Sequence, residues 1–206
     1  MKIIGLIGGI ASGKSAVSAA LARRGAQVFD ADKIGHQMLD QPEVRDDLSA
    51  RWGAEILDEA GRIDRQKVAA RVFAPTDEAA ADLTYLEELL HPRIRQHIET
   101  EIARLPDAPL PAIVIDAPLL LESGWNEVCQ VIAFVECPRE ERLRRAQERG
   151  WTPEEFTRRE LAQMPIEQKR RWASHVIDNS GTLADLDAKV EQFWAETVAD
   201  QSEKSA

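Results

Sequence analysis

The sequence predicts an α/β fold, a parallel sheet of about five strands flanked by helices, and three observations carry that prediction. Residues 3–24 read as an apolar strand, a glycine-rich turn and a helix. Four further short apolar runs, at 26–29, 112–115, 130–135 and 176–177, read as strands with helical stretches around them. Residues 33–105 hold no convincing strand, so they form a helical insertion between the second and third strands.

The first element is the most informative. After the strand Ile3 to Ile7 comes Gly8-Gly9-Ile10-Ala11-Ser12-Gly13-Lys14-Ser15, which fits G-x-x-x-x-G-K-[ST], the phosphate-binding loop. Glycines let the backbone curl around a phosphate with no Cβ in the way. The curl turns successive N–H groups inward, and the N-terminus of the following helix adds partial positive charge. Lys14 supplies a full charge that reaches β- and γ-phosphates, and the Ser15 hydroxyl can hold Mg²⁺. Gly8 through Ser15, with Ala16 behind them, are therefore the expected triphosphate cradle. The bland alternative is a βα turn with incidental glycines.

Arg23-Arg24-Gly25 ends the first helix with basic residues and a glycine stop. The second strand, Ala26 to Phe29, runs into Asp30-Ala31-Asp32. Ligands of an open α/β sheet sit beyond the carboxyl ends of its strands, so this acidic pair points to the same edge as the glycine loop. Either acid can instead cap the helix that starts near Lys33. Within the insertion, Pro42 opens a helix to about Trp52, residues 58–62 turn, and Asp64 caps a helix to Phe73. Pro75-Thr76 opens another to about Leu90, His91-Pro92 breaks the chain, and a further helix runs from Arg93 to Leu105. Residues 106–111, rich in proline, read as a stiff linker.

The third strand ends in Asp116, either a carboxylate behind the water shell of a Mg²⁺ or a plain strand-end acid. After the fourth strand, Pro138 starts an arginine-rich helix, 139–149; Thr152-Pro153-Glu154-Glu155 is a capping box, and Pro165 opens another basic helix. Such charge runs are solvated helix faces or a lid over phosphates. Thr182 caps a final amphipathic helix to about Val198, and residues 201–206 should fray. The expected organisation is one domain with three parts. They are a nucleotide-binding core (1–32, 112–138, 176–200), a helical acceptor-binding region (33–105) and a lid (139–175).

The net charge of −10 gives no overall footprint for nucleic acid, although positive charge gathers in residues 139–171. Cys129 and Cys137 make neither a disulfide framework nor a metal spacing. No apolar run approaches the length of a membrane span, and no signal-peptide pattern precedes the loop. A cytoplasmic protein with no membrane or nucleic-acid partner is expected; the oligomeric state stays open.

Several motifs in one order resemble the dephospho-coenzyme A kinase family. They are GLIGGIASGKS, DADKIGH (30–36), GRIDRQKVAARVF (61–73), LHPRIR (90–95), APLLLESG (117–124), AQMPIEQK (162–169) and VIDNSG (176–181). The resemblance implies ATP in the loop, Mg²⁺ with it, and transfer of the γ-phosphoryl group to the ribose 3′-hydroxyl of dephospho-coenzyme A. It implies that Asp32 takes the proton from that hydroxyl and that Arg144 is the lid arginine at the phosphates. It also implies that His91, Pro92, Arg93, Leu120 and Glu122 belong to the acceptor site, and that Asn179 sits in the turn near the adenine. The chain departs from the family in three places. Ala11 stands where glycine is frequent, and its methyl is tolerable only at negative φ. Glu141 and Glu148 flank Arg144 where the family has Gln and a second Arg, so a one-residue helical shift toward Arg145 and Arg149 is an alternative. Ser174 replaces an Asp.

Three other classes compete with that reading. They are another small-molecule or nucleoside monophosphate kinase, a nucleotide-driven switch, and a binding module without turnover. The switch would need a guanine-reading N-K-x-D, which is missing. Retained Lys14, Ser15 and Asp32 speak for turnover.

Overall fold

A computed structural model of the chain describes residues 1–105 and 110–198. Most of the expected 106–111 linker and all of the 201–206 tail lie outside the described residues. The chain divides into two compact units, Met1–Asp30 with Asp107–Ala206, and Ala31–Pro106.

The first unit is built on five parallel strands: β1 (Lys2–Gly8), β2 (Gln27–Asp30), β3 (Ala112–Asp116), β4 (Val131–Glu136) and β5 (His175–Asp178), in the order β2-β3-β1-β4-β5. β1 and β3 are neighbours, yet their following connections leave in opposite directions. The crevice beyond their carboxyl ends is therefore the topological switch point where open sheets take ligands. Register brings Leu6 opposite Asp116, Asp116 opposite Asp30, Gly8 opposite Val135, and Glu136 opposite Asp178. Because the strands are parallel, four strands end on a carboxylate along one edge.

The buried strands β1, β3 and β4 read as near-continuous apolar runs because both sheet faces are covered. On one face Ile4, Leu6 and Val114 meet Val17 and Leu21 of α1 (Lys14–Arg23), and Val190 and Phe193 of the last helix, α9 (Leu183–Thr197). Arg24 fastens the two helices, bonding Asp187 at 3.1 Å and Glu191 at 2.7 Å. On the other face Leu120 lies so close to Gly5 that a Cβ there would stand 2.9 Å from its methyl. Glycine at that strand position is a packing requirement. After β4 come α6 (Arg139–Glu148), α7 (Pro153–Leu161) and α8 (Ile166–Trp172). Thr152 caps α7 as expected, accepting from the Glu155 N–H at 3.1 Å, but the Glu155 carboxylate holds Arg159. Thr182 and Asp185 form the reciprocal capping box of α9.

The second unit is helical, with α2 (Ala31–Leu39), α3 (Pro42–Trp52), α4 (Arg65–Val72) and α5 (Asp77–Arg104). Its only strand-like feature among the described residues is an isolated antiparallel bridge, Leu57 to Ile63, around the 58–62 turn. Leu39, Val44, Leu48, Trp52, Val68 and Val72 are among the residues of its core. Asp82 is buried beside them and accepts from the Trp52 indole at 2.8 Å and from Arg71 at 2.6 Å. One expectation fails here. His91-Pro92 does not break the chain, and α5 runs through both for 28 residues. Proline removes a single i→i−4 bond, and apolar contacts of Leu86, Leu89, Leu90, Ile94 and Ile98 on either side hold the helix.

Candidate active site

The loop between β1 and α1 is shaped by bonds to its carbonyl groups. The Ser12 N–H closes the turn on the Gly9 carbonyl at 3.1 Å, and Gly13 takes φ +93° before α1 begins. Ala11 takes φ +58°, against the expectation that its methyl requires a negative φ. A residue with a Cβ in the left-handed region costs about 1–2 kcal/mol, so neighbouring bonds must hold it there. Those bonds are visible. Arg142 donates to the Ile10 carbonyl at 3.4 Å, Arg145 to the Ser12 carbonyl at 3.2 Å, and the Asn179 amide to the same Ser12 carbonyl at 2.7 Å. Arg145 also donates to the Asn179 carbonyl at 3.0 Å, tying α6 to the turn after β5.

Two glycines of the motif make room for these side chains. A Cβ on Gly13 would stand 2.0 Å from the Asn179 amide nitrogen, and one on Gly9 would stand 2.8 Å from the Arg142 guanidinium. Lys14 and Ser15 open α1, with Ser15 exposed at its first turn. Asp116, at the end of the neighbouring β3, is buried. Among the described residues no group of three His, Cys, Asp or Glu side chains is arranged to hold a metal. Mg²⁺ on a nucleotide takes its ligands mostly from phosphate oxygens and water, and the exposed Ser15 hydroxyl is a donor of that kind.

The arginines of α6 divide between two faces. Arg142 is 2% exposed, ion-paired with Glu160 at 2.7 Å, bonded to the Cys137 carbonyl and set against the Phe156 ring. Arg145 shares its face, three residues on. Arg144 stands on the exposed face, bonded to Glu141 at 2.6 Å and also to Glu148. Arg144 holds the Glu141 carboxyl down at about 2. Burial pushes the Glu160 carboxyl up, but bonds from Arg142 and Arg139 outweigh it and the net shift is downward. A cavity of about 760 Å³ lies beside the loop, lined by Gly9, Ile10, Arg142, Glu160, Ile166 and Lys169 among others.

The family resemblance implies the lid role for Arg144, with Arg145 and Arg149 as alternatives, and gives none to Arg142. Helical spacing is the local signal that separates these arginines. Glu141, Arg144 and Glu148 lie at i−3, i and i+4 and pair with one another, and Glu141 also pairs at 3.1 Å with Arg145, which lies with Arg142 on the face toward the loop. Leu120 is fully buried under β1. Glu122 bonds the Met164 N–H at 3.0 Å and the ammonium of buried Lys169 at 3.1 Å, which also bonds Pro118 O and Gln163. Glu122 thus fastens the segment leading into α8. Ser174 bonds the Ile132 carbonyl through both its N–H and its hydroxyl.

The other expected residues lie in the helical unit. Asp32 is exposed in the first turn of α2, two residues past the end of β2. His91 is half-buried, and burial lowers its pKa. Pro92 is exposed on α5, and Arg93 bonds the Leu89 carbonyl at 2.8 Å and Asp47 at 3.3 Å.

The dephospho-CoA kinase family model matches residues 2–185. A dephospho-CoA kinase of Geobacter sulfurreducens is 39% identical over 95% of this chain and 98% of its own. A crystal structure from Thermus thermophilus superposes with a TM-score of 0.79 at 35% identity, covering 96% of this chain and 98% of that one. The dephospho-CoA kinase of Campylobacter jejuni superposes with a TM-score of 0.70 at 26% identity, covering 97% and 98%.

Proposed function

The chain belongs to the dephospho-CoA kinase family, and on that premise we propose that it moves the γ-phosphoryl group of ATP to the ribose 3′-hydroxyl of dephospho-coenzyme A. The products are coenzyme A and ADP, the last step of coenzyme A biosynthesis. The observation that carries this reading is the loop at 8–16, whose carbonyl oxygens are bonded by Arg142, Arg145 and Asn179. A peptide C=O and its N–H point in opposite directions. Binding the Ile10 and Ser12 carbonyls on one side leaves the Ala11 and Gly13 N–H groups for a phosphate on the other.

Phosphoryl transfer is mostly positioning and charge stabilisation. Gly8 to Ala16 hold the triphosphate, and the Lys14 ammonium draws the β- and γ-oxygens together. Ser15 would hold Mg²⁺ through its hydroxyl, with Asp116 as a supporting acid, and the ion would supply neutralisation of phosphate charge. Asp32 orients the ribose hydroxyl and accepts its proton as the new P–O bond forms. Arg145, paired with Glu141 on one side, brings its charge to the loop, the role that the resemblance gives to Arg144, whose guanidinium is tied to two exposed carboxylates. His91, Pro92 and Arg93 with the rest of 33–105 bind the acceptor. Glu122 acts by holding α8, and Leu120 by packing under β1. Residues 139–175 close as a lid, which keeps water from the phosphoryl group. No helix among the described residues is long and apolar enough to cross a membrane, and a cytoplasmic site of action belongs to the same reading.

The test is incubation with ATP, Mg²⁺ and dephospho-coenzyme A, alongside nucleoside monophosphates as rival acceptors. Coenzyme A and ADP in equal amounts are expected. Turnover only with a nucleoside monophosphate, or none at all, would refute the assignment.

A further inference from the structure

The strained alanine in the loop calls for a cause, and its neighbours supply one. Ala11 stands at φ +58°, while Ile10 and Ser12, on either side of it, have their carbonyls bonded by side chains far along the chain. Arg142 and Arg145 come from α6, and Asn179 from the turn after β5. All three are well shielded. Asn179 is 5% exposed and Arg142 2%, and the Arg145 side chain is 19% exposed. The Ser12 carbonyl accepts two bonds, at 2.7 Å from Asn179 and 3.2 Å from Arg145. The glycines at 9 and 13 leave the volume that Arg142 and Asn179 fill.

We infer that Arg142, Arg145 and Asn179 form a clamp that holds Ala11 in its left-handed conformation before ATP arrives, and that they are positioning residues for the donor phosphates. A glycine at position 11 would reach this conformation unaided. An alanine left alone relaxes toward negative φ, which rotates the flanking peptide planes and turns N–H groups out of the cradle. The clamp therefore supplies, from outside the loop, what glycine supplies from within. The cost of relaxation appears as weaker phosphate binding, because only the fraction of molecules with the loop set can bind.

The inference rests on the reading of the loop as a triphosphate site, so the test separates the two. Asn179 is the residue to change, since removing Arg145 would also remove a charge. Tripolyphosphate with Mg²⁺ is the probe, because it has no base for Asn179 to touch. Its affinity is measured by calorimetry for the unchanged chain, N179A, A11G and the double variant. Asn179→Ala is expected to weaken binding roughly tenfold against the unchanged chain, and the double variant to bind within about twofold of A11G, whose own affinity is the reference for that comparison. Rescue by glycine is something that a merely structural asparagine would not give. Equal weakening in both backgrounds, or no weakening by N179A, overturns the clamp while leaving the phosphate site intact. Failure of the unchanged chain to bind overturns the phosphate reading and the clamp with it. Should N179A not fold, Asn179→Ser, too short to reach the Ser12 carbonyl, carries the same expectations.

Discussion

The glycine loop and the helical unit keep their shapes by opposite means. The loop's carbonyls are bonded by residues more than 130 positions away, from α6 and from the turn after β5. The helical unit is held by local material: an apolar cluster from α2 to α5, and one buried carboxylate, Asp82, which ties α3, α4 and α5 together. A backbone that must offer N–H groups to an anion cannot also spend them on regular structure, so its geometry has to be imposed from outside. A helical block has no such need, because each helix satisfies its own backbone and only its apolar face has to be covered.

That difference can be broken at several points, and the largest effect is expected at the loop. Lys14→Ala should lower kcat/KM by roughly 10³, with loss in both ATP affinity and rate, because a charge aimed at the reacting phosphates is removed. Steady-state kinetics check it, and unchanged activity would remove the loop from the chemistry. Asp32→Asn should keep ATP affinity and lose turnover by roughly 10² or more, the range of a lost general base. Titration of ATP beside a single-turnover assay separates the two quantities. On α6, Arg145→Ala should cost roughly 10² in turnover, whereas Arg144→Ala should stay within about threefold, since exposed ion pairs contribute about 0–1 kcal/mol. Equal losses from both would restore Arg144 to the phosphates.

In the helical unit the expected effect is on stability. Asp82→Ala leaves Arg71 and the Trp52 indole without their acceptor. It should cost about 2–3 kcal/mol, less than a fully buried pair because Arg71 is partly solvated. Thermal unfolding reads this. Burial pushes the Asp82 carboxyl up, but the bonds from Trp52 and Arg71 win and its pKa is lowered. A depressed folded pKa gives stability that is present above the unfolded value, near 4, and lost as pH falls through the folded one. Acid unfolding of the unchanged chain should therefore have a component below pH 4 that the Asp82→Ala variant lacks. The smallest effect belongs to the loop again. Ala11→Gly relieves the left-handed strain but frees the unfolded chain, for a net gain of about 0.5–1 kcal/mol.

The same contrast explains what could be read in advance. All five strands were legible as short apolar runs, the inner three because both sheet faces over them are covered and the edge strands β2 and β5 from shorter runs before a turn or helix. The caps Asp64, Thr152 and Thr182 were legible because a side-chain oxygen before a helix has one obvious use. The unbroken α5 was not, since a proline's local cost says nothing of the apolar contacts that outweigh it. The loop's motif stood out, but the φ of Ala11 did not, because it depends on Arg142, Arg145 and Asn179 reaching across the fold. Local spacing could have told Arg144 from Arg145, and only the tertiary structure shows what Arg145 touches. The role proposed for Asp32 is tested by the kinetics above, whereas those proposed for His91, Pro92 and Arg93 rest on the family resemblance alone.

The most direct measurement follows the transferred atom itself. ATP labelled in its γ-phosphate, mixed with dephospho-coenzyme A and quenched within one turnover, should yield label on the ribose 3′-oxygen of the product. The Asp32→Asn variant should bind the labelled ATP and leave it intact over the same interval. Label released only as inorganic phosphate, or transferred at the same rate by Asp32→Asn, would contradict phosphoryl transfer from this loop with Asp32 as the base.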